Sequence, residues 1–477
     1  MSFASLTFIL VFLPLVCALY YLFAFAPPAQ NVILLLASLV FYAWGAPVFV
    51  ILLLVSILVN YLLGLMADAF RVTQGSRSVV IIATILVNVS LMLIFRYLAT
   101  MQSEIGSFFG MPSLILGPMT PIGVSFFTFQ AISYCIDVLR GTTRVERNPL
   151  KVGLYISFFP QIIAGPLVRS DDFSRQLAAR RASLKRFTTG LCRFIVGLAK
   201  KVLIADALTA LSDHAFTLDQ QTVLPASFAW LGAVAFALSV YFYFSSYSDM
   251  AIGLALVFGF KYEENMRYPW AAATVEDFWR RFHLSLGRWC ADYLVPLIGV
   301  RTRDGSLRLR DIVVVWALVA VWLGFEPNLI IWSLFNLLLI ALERAFRVGE
   351  RRGLGALRHI SVVFAMILGF VVFRADSPAD ALHYLASMLG SGGLYGGSSV
   401  VNDATTLFFL KDQAPALLAA LVFANPIAAW ANAALASGRK FGIVFEVLYP
   451  PAILVLLAVC LMYVTVGDTQ PLRFFLL

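Results

Sequence analysis

Residues 276–289 read Glu-Asp-Phe-Trp-Arg-Arg-Phe-His-Leu-Ser-Leu-Gly-Arg-Trp. They set two carboxylates, three arginines, a histidine and two tryptophans inside a chain that is 61% hydrophobic. Histidine titrates near neutral pH, so His283 could take a proton from an attacking hydroxyl as a general base. The same residue also suits a plainer role, an interfacial histidine tied to a neighbour or a lipid headgroup. A second polar run, Tyr241-Phe-Tyr-Phe-Ser-Ser-Tyr-Ser-Asp249, packs three tyrosines, three serines and an acid into nine residues between apolar stretches. Its hydroxyls need partners away from water, in the wall of a polar cavity or as hydrogen bonds between helices. Asp249 is costlier: a charge at mid-bilayer costs roughly 2.5–3.5 kcal/mol on insertion scales, so it must pair or line water.

The spacing says what must position these groups. Glu276 and Arg280 are four apart, as are Asp277 and Arg281, and acid before base at that interval supports a helix over 276–289. On such a helix Trp279 and His283 share a face. Tryptophans and arginines together mark a segment lying in the headgroup region, so 276–299 is expected at the cytoplasmic interface.

The rest of the chain is membrane. It has 477 residues, of which 13% are charged and 14% aromatic, against about 25% charged in a soluble domain. The formal net charge of +9 follows from lysine and arginine gathering in cytoplasmic loops and does not call for nucleic acid. Apolar runs of spanning length fall near 5–26, 31–46, 48–67, 78–97, 120–137, 150–168, 188–210, 225–245, 247–260, 311–325, 328–346, 357–373, 404–424 and 443–466. Pro160, Gly165 and Pro166 predict a broken or re-entrant segment at 150–168, so about 11–13 true crossings are expected. The run from Leu6 to Ala26 reads as a first membrane helix and not a removed signal. Basic residues gather at Arg175, Arg180, Arg181, Lys185 and Arg186; at Arg280, Arg281, Arg288, Arg301, Arg303, Arg308 and Arg310; and at Arg344, Arg347, Arg351, Arg352 and Arg358. All three clusters are expected on the cytoplasmic side. Cys17, Cys135, Cys192, Cys290 and Cys460 show no CxxC spacing and read as packing thiols, with no metal site. The flexible stretch is 390–399, and residues 1–477 read as one transmembrane domain.

Tyr243-Phe-Ser-Ser-Tyr-Ser-Asp-Met-Ala-Ile-Gly253 and Phe278-Trp-Arg-Arg-Phe-His-Leu-Ser-Leu286 resemble the membrane-bound O-acyltransferase (MBOAT) family, in its alginate O-acetyltransferase-like branch. Phe41-Tyr-Ala-Trp44, Pro121-Ile-Gly-Val-Ser-Phe-Phe127, Ser133, Tyr134, Asp137 to Arg140, Phe158-Phe-Pro-Gln-Ile-Ile-Ala-Gly-Pro166, Lys200, Lys201, Asp206, Phe373 and Arg374 extend the similarity to about residue 380. The resemblance implies an all-α polytopic bundle with re-entrant and interfacial helices around a central tunnel, in the bacterial inner membrane. It implies acylation, chiefly acetylation, of an exported polysaccharide or cell-envelope glycan. No resident cofactor is implied, only an acyl donor such as acetyl-CoA or another activated carrier. The implied partners are the bilayer, that donor, and a periplasmic or secreted acyltransferase or polysaccharide synthase.

The chain departs from the family at one point. The family's histidine follows a tryptophan, as Trp-His-Gly, where this sequence reads Trp322-Leu323-Gly324; a second Trp-His-Gly of the branch falls here on Phe335-Asn336-Leu337. Leucine cannot accept a proton. Three readings stay open: an acyltransferase whose base is His283 or, one helical turn beyond Leu323, Glu326; a pseudoenzyme that scaffolds or regulates a polysaccharide export machine; or a conduit for the acyl donor. In the first, Tyr243, Ser246, Asp249, Trp279, Arg280, Trp322 and Asn336 line the tunnel or the substrate.

Overall fold

The computed structural model describes residues 1–44, 47–71, 74–109, 123–180, 183–220, 223–298, 308–324, 326–348, 355–390, 403–426 and 439–466. Arg181, Arg301, Arg303, Arg351, Arg352, Pro121 and the glycine–serine stretch 391–399 lie outside the described residues. All the described regular structure is helical, the solution that satisfies every backbone polar group within its own segment when no water is at hand. The chain divides into two compact units, 1–195 with 247–263 and 196–246 with 264–466.

In the first unit a π turn (Phe8–Phe12) leads into α1 (Leu13–Leu22), followed by α2 (Pro27–Ala43), α3 (Val48–Ala69), α4 (Gln74–Phe109), α5 (Val124–Arg140), α6 (Pro149–Ser157), α7 (Phe159–Ile162), α8 (Ser170–Ala179) and α9 (Leu184–Ala199). Prolines open α2 and α6, where the missing N–H costs nothing, and the Asn148 carboxamide oxygen caps α6 by accepting from the Leu150 N–H at 2.9 Å. The expected break in 150–168 is present, as α6 stops at Phe158 and a single turn, α7, follows. The Tyr20 and Tyr21 hydroxyls each donate at 2.7 Å to the Phe258 and Val257 carbonyls, tying α1 to residues 257–258.

In the second unit a π-helical segment (Lys200–Ala205) runs into α10 (Asp206–Asp219). Next come α11 (Ala226–Val257), α12 (Val275–Arg281), α13 (Leu284–Trp289), α14 (Val295–Ile298), α15 (Leu309–Leu323), α16 (Pro327–Ala345), α17 (Gly355–Arg374), α18 (Pro378–Met388), α19 (Asp403–Asp412), α20 (Ala414–Phe423) and α21 (Arg439–Val466). The unit boundaries fall within α9, within α11 and between residues 263 and 264. Two corrections to the sequence reading arise here. The runs 225–245 and 247–260 form one helix, α11, because the polar residues between them bond at their side chains and leave the backbone ladder intact. The helix expected over 276–289 is two short helices, broken at Phe282 and His283.

Six helices are long and apolar enough to cross a membrane among the described residues, Phe49–Ala69, Arg77–Ile94, Ala226–Val257, Pro327–Ala345, Gly355–Arg374 and Leu448–Val466. A seventh span arises if the α19–α20 pair, bent by 63°, crosses as one. The chain is a multi-pass membrane protein. Among the described residues, other expected runs are cut short, as at α6, or carry lysines, as at Lys200 and Lys201.

Candidate functional site

In the second unit, α12 begins on groups that fix it firmly. Its first-turn N–H groups have no partner within the helix. The Thr274 hydroxyl accepts from the Asp277 N–H at 3.0 Å, and the Glu343 carboxylate of α16 accepts from the Val275 and Glu276 N–H groups at 2.6 and 3.1 Å. Glu276 answers with ion pairs to Arg344 and Arg280, both at 2.8 Å; the hydrogen bond from Arg344 is the main reason its carboxyl sits below the usual range. The expected Asp277–Arg281 pair forms at 2.9 Å.

This start aims Trp279 into the unit. Its indole N–H donates to the Asn336 carboxamide oxygen at 2.9 Å, while the Asn336 amide donates to the Trp332 carbonyl at 2.9 Å. Trp279 meets Trp316 and Trp332 edge-on at 5.3 and 5.6 Å between ring centres, and Phe373 lies 5.0 Å from Trp332. Such pairs add about 0.5–1.5 kcal/mol each beyond the area they bury. Removing one partner of the Trp279–Asn336 bond leaves a buried polar group unmet, which costs about 1–3 kcal/mol. We expect Asn336→Leu to destabilise the detergent-solubilised protein by that amount and Trp279→Phe,Asn336→Leu to cost less than the sum of its single changes. Additive losses in a thermal double-mutant cycle would show that the bond carries no coupling.

After Arg281 the backbone turns sharply. His283 sits at φ +53°, a conformation that costs a non-glycine residue roughly 1–2 kcal/mol. Asn265 holds it there: its backbone carbonyl accepts from the Leu284 N–H at 2.9 Å, and its side-chain oxygen accepts from the Ser285 N–H at 3.1 Å and hydroxyl at 2.8 Å. His283 then caps α13, with Nδ1 accepting from the Leu286 N–H at 3.4 Å. Its ring packs edge-on against Phe244 of α11 at 5.5 Å and is 5% exposed. Because the helix ends before it, His283 does not share a helical face with Trp279.

Burial pushes the His283 imidazole down from about 6.5 to about 4, so the ring is neutral across the physiological range. The sign of the consequence is fixed. Below pH 6.5 the unfolded chain takes a proton that the folded ring refuses, so stability present above that pH is lost as pH falls toward 4. At 1.36 kcal/mol per unit the loss is about 3 kcal/mol. Thermal melts between pH 7 and 4 should show it, and His283→Gln should remove this part of the dependence; an equal slope in the variant would assign it elsewhere.

The polar run on α11 is satisfied from within the protein. Tyr243 is 1% exposed and donates to Asp206 at 2.6 Å; the other Asp206 oxygen pairs with Lys201, itself 1% exposed, at 2.8 Å. The π-helical segment, a wider turn often found at functional places, sets the consecutive lysines so that Lys200 reaches the Ser245 hydroxyl at 3.0 Å. The Ser246 hydroxyl donates to the Tyr243 carbonyl of its own helix at 2.8 Å. Asp249 belongs to the first unit and is paired there. Arg193 of α9 donates to it at 2.8 and 3.1 Å. That pair exists because α9 and α11 cross at Gly190 and Gly253: a Cβ on either would lie 2.5 or 2.6 Å from the other's carbonyl oxygen, so only glycine allows the approach.

The other sequence-named residues lie at the α15–α16 junction and on the surface of α12. Leu323 is the last residue of α15 and is 3% exposed. Gly324, at φ +137°, breaks the helix, so Glu326 does not lie one helical turn from Leu323; it is exposed and stands before Pro327 at the start of α16. Trp322 is half-buried. The Arg280 side chain is 66% exposed and is engaged with Glu276. Sequence reasoning missed Asn265, Glu343, Trp316 and Arg193. Only Glu343 carried a legible signal, an acid beside Arg344 at the end of an apolar run.

The family model described as MBOAT, membrane-bound O-acyltransferase family, matches residues 36–373. The chain is 36% identical over 397 residues to the probable alginate O-acetylase AlgI of Pseudomonas aeruginosa, covering 82% of this chain and 75% of the relative. It is 31% identical over 422 residues to the peptidoglycan O-acetyltransferase of Helicobacter pylori, covering 81% and 79%. The teichoic acid D-alanyltransferase of Bacillus subtilis matches at 25% identity over 243 residues, covering 48% and 60%.

Proposed function

Since the chain belongs to the membrane-bound O-acyltransferase family, we propose that it transfers a small acyl group, acetyl first of all, to a hydroxyl of an exported polysaccharide or cell-envelope glycan. The names of its relatives share that chemistry, acyl transfer to a polymer of the cell envelope. The donor is acetyl-CoA or another activated carrier arriving from the cytoplasm, and the membrane is the bacterial inner one, with the arginine-rich segments on its cytoplasmic side. A periplasmic or secreted acyltransferase, or the polysaccharide synthase, receives or uses the product.

The observation that carries this reading is the buried, neutral His283 at the α12–α13 break, inside the family motif Phe-Trp-Arg-Arg-Phe-His. His283 is the first catalytic residue proposed, with Trp279, Trp322 and Asn336 around the substrate, Tyr243 supporting the α11 side and Arg280 at the rim. Glu326 is the second catalytic residue proposed. Leu323 favours the other reading, a scaffold or donor conduit that has kept the fold and lost the reaction, since no proton acceptor stands at that position.

Deletion of the gene followed by alkaline release and quantification of envelope O-acetyl groups separates these readings. Loss of acetyl that the wild-type chain restores supports transfer. Unchanged acetylation with disrupted polymer export supports the scaffold.

A further inference from the structure

The two nitrogens of His283 are not equivalent, and their difference specifies what the ring can do. Nδ1 faces the Leu286 backbone N–H at 3.4 Å, sharing that donor with the His283 carbonyl at 3.1 Å, and the Ser285 hydroxyl, also at 3.4 Å. A hydroxyl can rotate its proton, and the Ser285 hydroxyl donates to Asn265 at 2.8 Å; a backbone N–H cannot turn away. The fixed donor therefore decides: Nδ1 must present its lone pair, and a neutral imidazole then carries its proton on Nε2. The contacts to Leu286 and Ser285, on a turn that Asn265 clamps, set the ring's orientation.

We infer that His283 acts on the acyl group as a neutral hydrogen-bond donor, presenting Nε2–H to the carbonyl oxygen of a thioester-linked acyl group, and not as the proton acceptor. The inference rests on the acyl-transfer reading above and specifies the task of its central residue. When the acceptor oxygen attacks the acyl carbon, negative charge builds on the carbonyl oxygen, and a preset donor in a dry site stabilises it. The new acyl–oxygen bond replaces the acyl–sulfur bond, and the hydroxyl's proton ends on the departing thiolate. His283 neither takes nor gives it. A buried imidazole that stays neutral suits this task, because an imidazolium would bring an unpaired charge into the site and a weakly basic ring is a poor proton acceptor.

The test uses the full-length protein in lipid nanodiscs, with radiolabelled acetyl-CoA as the probe donor. Glutamine can place an N–H near the Nε2 position but cannot act as a base, while asparagine keeps the helix cap and tolerates φ > 0 but falls short. His283→Gln should keep acetyl transfer within about tenfold of wild type, while His283→Asn and His283→Ala lose at least about a hundredfold. Glutamine as inactive as alanine in a folded protein would overturn the assignment. Histidine-selective ¹⁵N NMR of the wild type reads the same point without any variant in that position, the other three histidines being assigned by their own substitutions. A protonated Nε2 and bare Nδ1 are expected; a protonated Nδ1 would overturn the inference. If the wild type transfers no acetyl, the acyl-transfer reading fails, while the NMR result still decides how the ring is protonated.

Discussion

His283→Ala lowers acyl transfer by about 10²–10³-fold, the loss that follows removal of one preset donor from a developing oxyanion. Initial rates with labelled donor, at matched protein levels and with the melting temperature recorded, measure it. The expectation comes from placement. The ring is 5% exposed and neutral, the turn that carries it is clamped by Asn265, and it lies within the residues that the family model matches. A variant that folds and acylates at the wild-type rate would remove the ring from the chemistry and leave the scaffold reading the stronger one.

Leu323→His raises acyl transfer by about 10²–10⁴-fold, the usual contribution of a general base. The position is prepared for it. Leu323 is buried at the end of α15, and Gly324 frees the backbone beyond it, so an imidazole replaces a side chain of similar reach without lengthening a helix. A new acid limb should enter the pH–rate profile as that imidazole protonates, a limb the wild type lacks. Combining Leu323→His with His283→Ala separates the two tasks: an added base still needs the donor, so the double variant should fall far below Leu323→His alone. No gain from Leu323→His would mean that the proton already has another acceptor, with Glu326→Gln the next variant to assay.

Much of the fold was legible because lipid is a demanding solvent. Long apolar runs have no other stable form, and the proline cluster at Pro160 and Pro166 could only break one. Pairings within a helix were legible too, since Glu276–Arg280 and Asp277–Arg281 are fixed by spacing alone. The rest depends on residues far apart in the chain. Nothing near Asp249 announces Arg193, which meets it only because two glycines let their helices touch. Nothing near His283 announces a turn there; the seven residues before it read as helix, and Asn265 supplies the bonds that end it. The polar run of α11 looked like cavity wall because hydroxyls had to go somewhere. Its Tyr243 donates to Asp206 and its Ser246 to its own backbone, partners that spacing within the run does not announce.

The carboxylate of Glu343 that receives the first turn of α12 changes where variation in this chain is dangerous. It binds main-chain N–H groups, which every residue but proline provides, so drift at Val275 or Glu276 leaves those two bonds in place. The vulnerable position lies 67–68 residues downstream in another helix. A survey of natural variants should therefore find that 343 tolerates little beyond an acid, while change at 276 is limited by its ion pair to Arg344 and not by its bond to Glu343. Chimeras that exchange α12 between relatives should keep these two bonds wherever 343 is an acid, and should need α16 to travel along only where the side-chain pairs Glu276–Arg344 and Trp279–Asn336 differ.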